Sequence, residues 1–139
     1  MTYSVLTTSL QLLREVADRV TTDQLDNPTP CAEWTVTQVL FHAAGDQHGW
    51  ASCVATSPLP SWDPFAPPTT LEGKPGDLIG PAVQAATTAW ATVGLDVESV
   101  RTPLPPFPTM PPELAAGACA LDAAIHAWDI AVATGNPAR

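Results

Sequence analysis

Four stretches of the chain repeat apolar residues at intervals of three and four, which is the spacing of one face of an α-helix. They cover about residues 3–20, 36–55, 78–93 and 111–134. No stretch shows the alternation of apolar and polar residues that is typical of strands. The pattern predicts an all-α protein, a four-helix bundle whose long connections are rich in proline.

Signals at the ends of these stretches support the assignment. Thr35 precedes the second helix and Gln38 follows three residues later, which is the pattern of a capping box. Pro81 is expected in the first turn of the third helix, and Gly94 is expected to end it. Gly135 is expected to end the fourth helix.

Two long connections, residues 57–76 and 95–112, hold most of the prolines. Trp62 and Phe65 in the first connection are expected to fold back against the bundle. Together with Phe107 and His48 they could shape an apolar pocket. No internal repeat or domain boundary is visible, so residues 1–139 are interpreted as a single domain.

The charge excludes several functions. The net charge is −9, with only five basic residues among 139. A basic patch cannot form, which argues against nucleic-acid binding and against attraction to an anionic membrane. The N-terminus does not resemble a signal peptide, and no uninterrupted apolar run has the roughly 18 residues of a membrane span. A cytoplasmic location is expected. The three cysteines are interpreted as reduced thiols.

The fourth helix carries polar residues that an apolar helix does not need. Asp122 and His126 are four residues apart and therefore share a face, and Asp129 borders the same face. The residues between them are mostly alanine, so much of this helix is expected to be buried. A buried carboxylate or imidazole is costly unless it is hydrogen-bonded, paired or bound to a metal.

The second helix offers a partner for this pair. His42 also lies among apolar residues, and it can meet Asp122 and His126 if the two helices face each other. Two imidazoles and a carboxylate form a familiar set for Zn²⁺ or another divalent metal with an open coordination position. The same set also suits Ni, Fe or Mn.

Simpler interpretations remain open at this stage. His42 alone is more often a hydrogen-bonded core histidine, and Asp122 with His126 can be a pair on a helix surface. Asp129 is expected to orient an imidazole rather than to bind a metal. His48 lies about 240° around the helix from His42 and is expected at the pocket or the surface. Trp128 is expected in the core or beside the pocket.

Two segments resemble a known family. Residues 25–45, LDNPTPCAEWTVTQVLFHAAG, and residues 121–135, LDAAIHAWDIAVATG, resemble the paired signatures of the mycothiol-dependent maleylpyruvate isomerase N-terminal-domain family, in the DinB-like superfamily. The resemblance implies a DinB-like bundle with a divalent metal, most often zinc, held by His42, Asp122 and His126. It also implies a thiol S-transferase or isomerase, in which the metal binds the thiolate of a thiol such as mycothiol.

Three functions are compatible with these observations. The first is a metal-dependent transferase that adds a thiolate to an electrophilic small molecule. The second is a natural-product tailoring enzyme that uses the same pocket without a thiol. The third is a non-catalytic metal-binding bundle. The few cations make a dicarboxylate such as maleylpyruvate an unfavourable substrate. The apolar composition is compatible with a homodimer, but the sequence indicates no interface.

Overall fold

The computed structural model describes residues 3–94 and 96–136. In this part of the chain it contains four long helices, which confirms the predicted all-α four-helix bundle. The helices are α1 (Ser4–Asp18), α2 (Val36–Val54), α3 (Pro75–Ala91) and α4 (Pro112–Thr134). A 3₁₀ turn (Thr22–Gln24) follows α1, and two short antiparallel strands, β1 (Val100–Arg101) and β2 (Thr109–Met110), precede α4.

The helix ends with clear sequence signals agree with the prediction. Thr35 caps α2, because its hydroxyl accepts from the backbone N–H of Gln38 at 3.4 Å. The amide oxygen of Gln38 accepts in turn from the backbone N–H of Thr35 at 3.1 Å. Gly135 ends α4 with a φ of 70°, a left-handed conformation that glycine adopts without strain.

Three predicted details were wrong. Helix α3 begins at Pro75, three residues before the predicted start, and it ends at Ala91 instead of Val93. Pro75, rather than Pro81, occupies the first turn, and Pro81 lies inside the helix on its exposed face. The connection predicted to lack strands contains β1 and β2, which are only two residues long and therefore leave no periodic signal.

Contacts between helix ends give the direction of each helix. The Tyr3 hydroxyl donates to the Val93 carbonyl at 3.1 Å, so the start of α1 lies beside the end of α3. The side chain of Asn27 donates to the Ala133 carbonyl at 3.1 Å, so α1 and α4 run in the same direction. Helix α2 packs on both α3 and α4. It runs antiparallel to α4, because contact residues further along α2 meet residues that come earlier along α4.

Parallel packing of α2 on α3 explains the first long connection. Trp50 and Trp90, near the ends of these two helices, have ring centroids 6.3 Å apart. The chain must therefore return along about 28 Å of α2 before α3 can begin. On its way back, residues 55–74 lie against α2, where Trp62 Nε1 donates to the Phe41 carbonyl at 2.9 Å.

Helix α4 has one buried and one exposed face. By length and composition it is apolar enough to cross a membrane, and it is the one described helix that passes this test. Half of its most apolar stretch is buried inside the bundle, as in the core helix of a globular protein. Its inner face packs Ala123, Ala127 and Ile130 into the core.

Candidate metal site and cavity

The predicted site residues belong to two mirrored motifs on antiparallel helices. Residues 42–46 of α2 read HAAGD, and residues 122–126 of α4 read DAAIH. Because the helices run in opposite directions, histidine meets histidine and carboxylate meets carboxylate. The ring centroids of His42 and His126 are 4.7 Å apart. The four polar side chains converge where α2 and α4 are in contact.

The separations between possible ligand atoms suit one metal ion. His42 Nε2 lies 3.0 Å from Asp46 Oδ2, and His126 Nε2 lies 3.7 Å from the same oxygen. These three residues each offer a ligand atom within 4.8 Å of the others. His126 Nε2 also lies 3.6 Å from Asp122 Oδ1. Two ligand atoms on one tetrahedral Zn²⁺ lie about 3.3 Å apart, which is within the observed range.

The second nitrogen of each histidine lies beside an oxygen atom outside the cluster. His42 Nδ1–H donates to the Pro64 carbonyl, with the two atoms 2.6 Å apart. His126 Nδ1 lies 3.5 Å from Asp129 Oδ2, where Asp129 is expected as an orienting residue. Carbonyl and carboxylate partners of this kind hold metal-binding imidazoles in the tautomer that leaves the other nitrogen free. Both Nε2 atoms therefore point into the cluster.

Burial and neighbouring charges push the two carboxylic acids in opposite directions. Burial and the neighbouring Asp46 carboxylate raise the pKa of Asp122 to about 9. Burial also opposes ionisation of Asp46, but hydrogen bonds from His126 and His42 outweigh it and hold the pKa of Asp46 below its usual value. Burial lowers the pKa of His42, whereas Asp46 and the Pro64 carbonyl raise it to a net value above normal. A proton thus occupies the cluster near neutral pH.

An unsatisfied carboxylate oxygen is consistent with a cation in this position. Asp122 Oδ1 is buried and has no hydrogen-bond partner among the described residues. A native structure rarely leaves such an atom without a partner unless water or an ion satisfies it. Two imidazoles and two carboxylates would also neutralise the charge of a divalent ion. The residues present therefore fit a bound divalent metal.

Asp46 was missed by the sequence analysis, which named only Asp122 as a carboxylate ligand. The signal was present, because Asp46 follows His42 by the same four residues that separate Asp122 from His126. The mirrored order has meaning only if α2 and α4 are antiparallel. Asp46 Oδ2 lies within 3.7 Å of both imidazoles, at 3.0 Å from His42 and 3.7 Å from His126, and Asp122 Oδ1 lies 3.6 Å from His126.

A cavity of about 390 Å³ opens beside the cluster. His42, Asp46, Asp122 and His126 form its polar end. The rest of its wall is apolar or glycine, and comes from α2, the 55–74 connection and the segment after β1: Gly45, Gly49, Trp50, Leu59, Pro60, Trp62, Pro64, Phe65, Pro103 and Leu104. Among these lining residues there is no Lys or Arg.

Three residues expected near the pocket lie elsewhere. The Trp128 side chain is 53% exposed and does not line the cavity, so the prediction that places it in the core or at the pocket was wrong. Phe107 is 60% exposed and also lies outside the cavity wall. His48 does not line the cavity, but its ring centroid is 6.2 Å from that of Trp62, which does. Burial lowers the pKa of His48.

Comparison with known proteins identifies the family. One family model, described as the mycothiol maleylpyruvate isomerase N-terminal domain, matches residues 6–131. The chain belongs to this family. The mycothiol maleylpyruvate isomerase N-terminal domain family is DinB-like and metal-binding, which confirms the expected DinB-like fold.

Relatives of the chain do not add an activity. Two uncharacterised proteins from two strains of Mycobacterium tuberculosis are each 32% identical to it over 120 residues. The alignment covers 84% of this chain and 58% of each relative, so the chain spans little more than half the length of these proteins. No solved structure matches the chain significantly.

Proposed function

We propose that the protein is a divalent-metal-dependent enzyme that transfers a thiol, such as mycothiol, to an electrophilic small molecule. The observation that carries this proposal is the cluster of His42, Asp46, Asp122 and His126 in the wall of an otherwise apolar cavity. A metal buried without an adjoining cavity would suit a structural role, whereas this cluster borders space for a substrate.

The proposed ligands are His42 and His126 through Nε2, together with one of the two carboxylates, Asp122 or the additional Asp46. A tetrahedral Zn²⁺ would then keep its fourth position open for a thiolate. Zn²⁺ fits this mixed nitrogen and oxygen set best, and Ni, Fe or Mn are the alternatives. A divalent cation in this position would supply a Lewis acid that lowers the pKa of a thiol beside it. Pro64 and Asp129 would hold the two imidazoles in place.

The cavity wall indicates the class of substrate. Trp62 Nε1–H is already donated to the Phe41 carbonyl, and Pro60, Pro64 and Pro103 have no N–H to offer. Beyond the polar cluster, the described wall therefore provides no cation that could bind a carboxylate. We infer a neutral, largely apolar electrophile rather than a dicarboxylate.

The test is a thiol-conjugation assay on zinc-loaded protein. 1-Chloro-2,4-dinitrobenzene serves as a neutral aromatic electrophile, and mycothiol is the thiol. The proposal predicts conjugate formation that chelator removes and that zinc restores. His126→Ala should abolish it, whereas His48→Ala, a change outside the cluster, should retain it.

The outcome also distinguishes the alternatives. Turnover of a neutral electrophile without any thiol would contradict the transferase and favour the tailoring enzyme. Tight metal binding with no turnover of any electrophile, together with chelator-induced unfolding, would favour a non-catalytic bundle. A small-molecule reaction of this kind is consistent with a cytoplasmic location, which we also propose.

A further inference from the structure

Helix α4 carries a stripe of large apolar side chains on the face that points away from the bundle. Its members are about half exposed: Leu114 (61%), Leu121 (60%), Ile125 (47%), Trp128 (53%) and Val132 (52%). With Ala118, which is partly buried, they follow one another at alternating steps of four and three residues. We call these six residues the α4 stripe. This spacing is that of the contact positions in a two-helix coiled coil.

The α4 stripe is also free of charge. The protein has 14 acidic and five basic residues, yet no exposed residue of α4 between Leu114 and Val132 is charged. A helix face that meets only water normally carries charged side chains. An uncharged apolar face on a chain of net charge −9 lets two identical acidic molecules approach without repulsion at the contact itself.

We propose that the α4 stripe is the interface of a homodimer, in which α4 packs antiparallel on α4 of a second copy. The stripe is self-complementary in this orientation. If Leu121 faces the partner's Ile125, the same register brings Ala118 opposite the partner's Trp128 and Leu114 opposite the partner's Val132. The small Ala118 thus leaves room for the large indole, and the two-fold axis repeats each contact.

A parallel pairing would be poorer. It would stack each Trp128 on its own copy and would leave each Ala118 facing another alanine. It would also align the two helix dipoles in the same direction, whereas the antiparallel pairing opposes them. Size matching and dipoles therefore both select the antiparallel dimer.

The exposed area is sufficient for a dimer. Half-exposed side chains of this size leave on the order of 100 Å² each, so the five large ones leave about 500 Å² on each protomer. Two protomers would together bury about 1,000 Å² before any contribution from the rim, which reaches the lower limit for a specific interface. A second copy is also a better occupant than a lipid surface, because the net charge of −9 opposes approach to anionic headgroups.

The experiment measures molar mass by sedimentation velocity from about 1 to 100 µM, a range that moves a dimer equilibrium by mass action. The proposal predicts a concentration-dependent rise toward twice the 14.6 kDa of one chain. Leu121→Glu should weaken the dimer at least about tenfold. Phe107→Glu is the matched control, because this side chain is also 60% exposed but lies outside the α4 stripe.

A second substitution tests the register. In the Leu121→Glu/Ile125→Lys variant, the antiparallel pairing sets each new carboxylate opposite a new ammonium group, so dimerisation should recover relative to Leu121→Glu. Circular dichroism verifies that each variant remains folded, which is expected because both side chains are half exposed.

Three results would overturn the proposal. One is a monomer at every concentration. Another is a dimer that Leu121→Glu leaves intact, since the interface would then lie elsewhere. The third is a monomer that co-sediments with phosphatidylcholine vesicles through the α4 stripe, because the occupant would then be lipid.

Discussion

The 55–74 connection lies close against α2 at Gly45. A Cβ atom on Gly45 would lie 2.6 Å from Pro64 Cγ and 3.0 Å from Trp62 Nε1. Pro64 is held rigidly and cannot turn away as a flexible side chain would. We therefore expect Gly45→Ala to push the connection outward, away from α2 and the metal cluster.

The size of the effect follows from two opposing terms. Overpacking at a close contact costs about 1–3 kcal/mol. Replacing glycine by alanine inside a helix returns up to about 1 kcal/mol. Gly49 lies one turn further along α2. The atom nearest to a Cβ added at Gly49 would be Pro103 Cβ, at a distance of 4.0 Å. Gly49→Ala should thus stabilise the fold by up to about 1 kcal/mol. Because both variants gain this helix contribution, they should differ by the cost of overpacking, about 1–3 kcal/mol.

The metal site should respond to the same substitution. Outward movement of the connection removes the Pro64 carbonyl from His42 Nδ1. Loss of such an orienting partner typically weakens metal binding by about 10–100-fold. Gly49→Ala does not disturb this hydrogen bond and should keep the affinity of the original protein.

Thermal unfolding followed by circular dichroism, with zinc titration of each variant, measures both effects. At about 3 °C per kcal/mol for a chain of this size, the two melting temperatures should differ by about 3–9 °C. If Gly45→Ala were as stable as Gly49→Ala and bound zinc equally well, the close approach of the connection to α2 would be refuted, and with it the orienting role of Pro64.

Three further predictions concern protons, the cavity and helix capping. Metal affinity should fall as pH is lowered, because His42, whose pKa is raised, must be neutral to bind. Near neutral pH, metal binding should release the proton that Asp122 holds with a pKa of about 9. Calorimetry in buffers of different ionisation enthalpy should detect this proton release, and Asp122→Asn should remove it. If the Asp122→Asn variant released as many protons as the original protein, the proton would not be held by Asp122. Gly49→Leu should fill part of the cavity and leave the metal content unchanged. It should reduce conjugation of 1-chloro-2,4-dinitrobenzene at least about tenfold, the equivalent of about 1.4 kcal/mol. Full activity of this variant would argue that the substrate binds elsewhere. Thr35→Ala should destabilise the protein by about 1 kcal/mol in urea unfolding, because it removes the capping box of α2, and an unchanged midpoint would show that the cap contributes nothing.

The sequence predicted what local chemistry determines. The start of α2 and the end of α4 were correct because Thr35 with Gln38 and the left-handed Gly135 act within a few residues of themselves. Helix α3 was misplaced because Pro81 was expected in its first turn, whereas Pro75 occupies that position. Nothing local distinguishes the initiating Pro75 from Pro81, which is tolerated inside the helix.

The remaining errors required knowledge of packing. Trp128 was expected to be buried because α4 is apolar almost all round, but composition does not distinguish a core face from a face that awaits a partner. Asp46 was missed because its meeting with His126 depends on the antiparallel direction of α2 and α4. His42 and His126 could be paired from the sequence because each is a rare polar group in an apolar helix.

The most direct test of the account is the metal content of protein purified without chelator or an affinity tag, measured by mass spectrometry. The account predicts about one equivalent of a divalent metal, most of it zinc, bound by the cluster on α2 and α4. It predicts loss of that metal in the His42→Ala/His126→Ala variant and its retention in His48→Ala. A folded protein that contains no metal and takes up none on titration, or a double variant that retains it, would contradict the account.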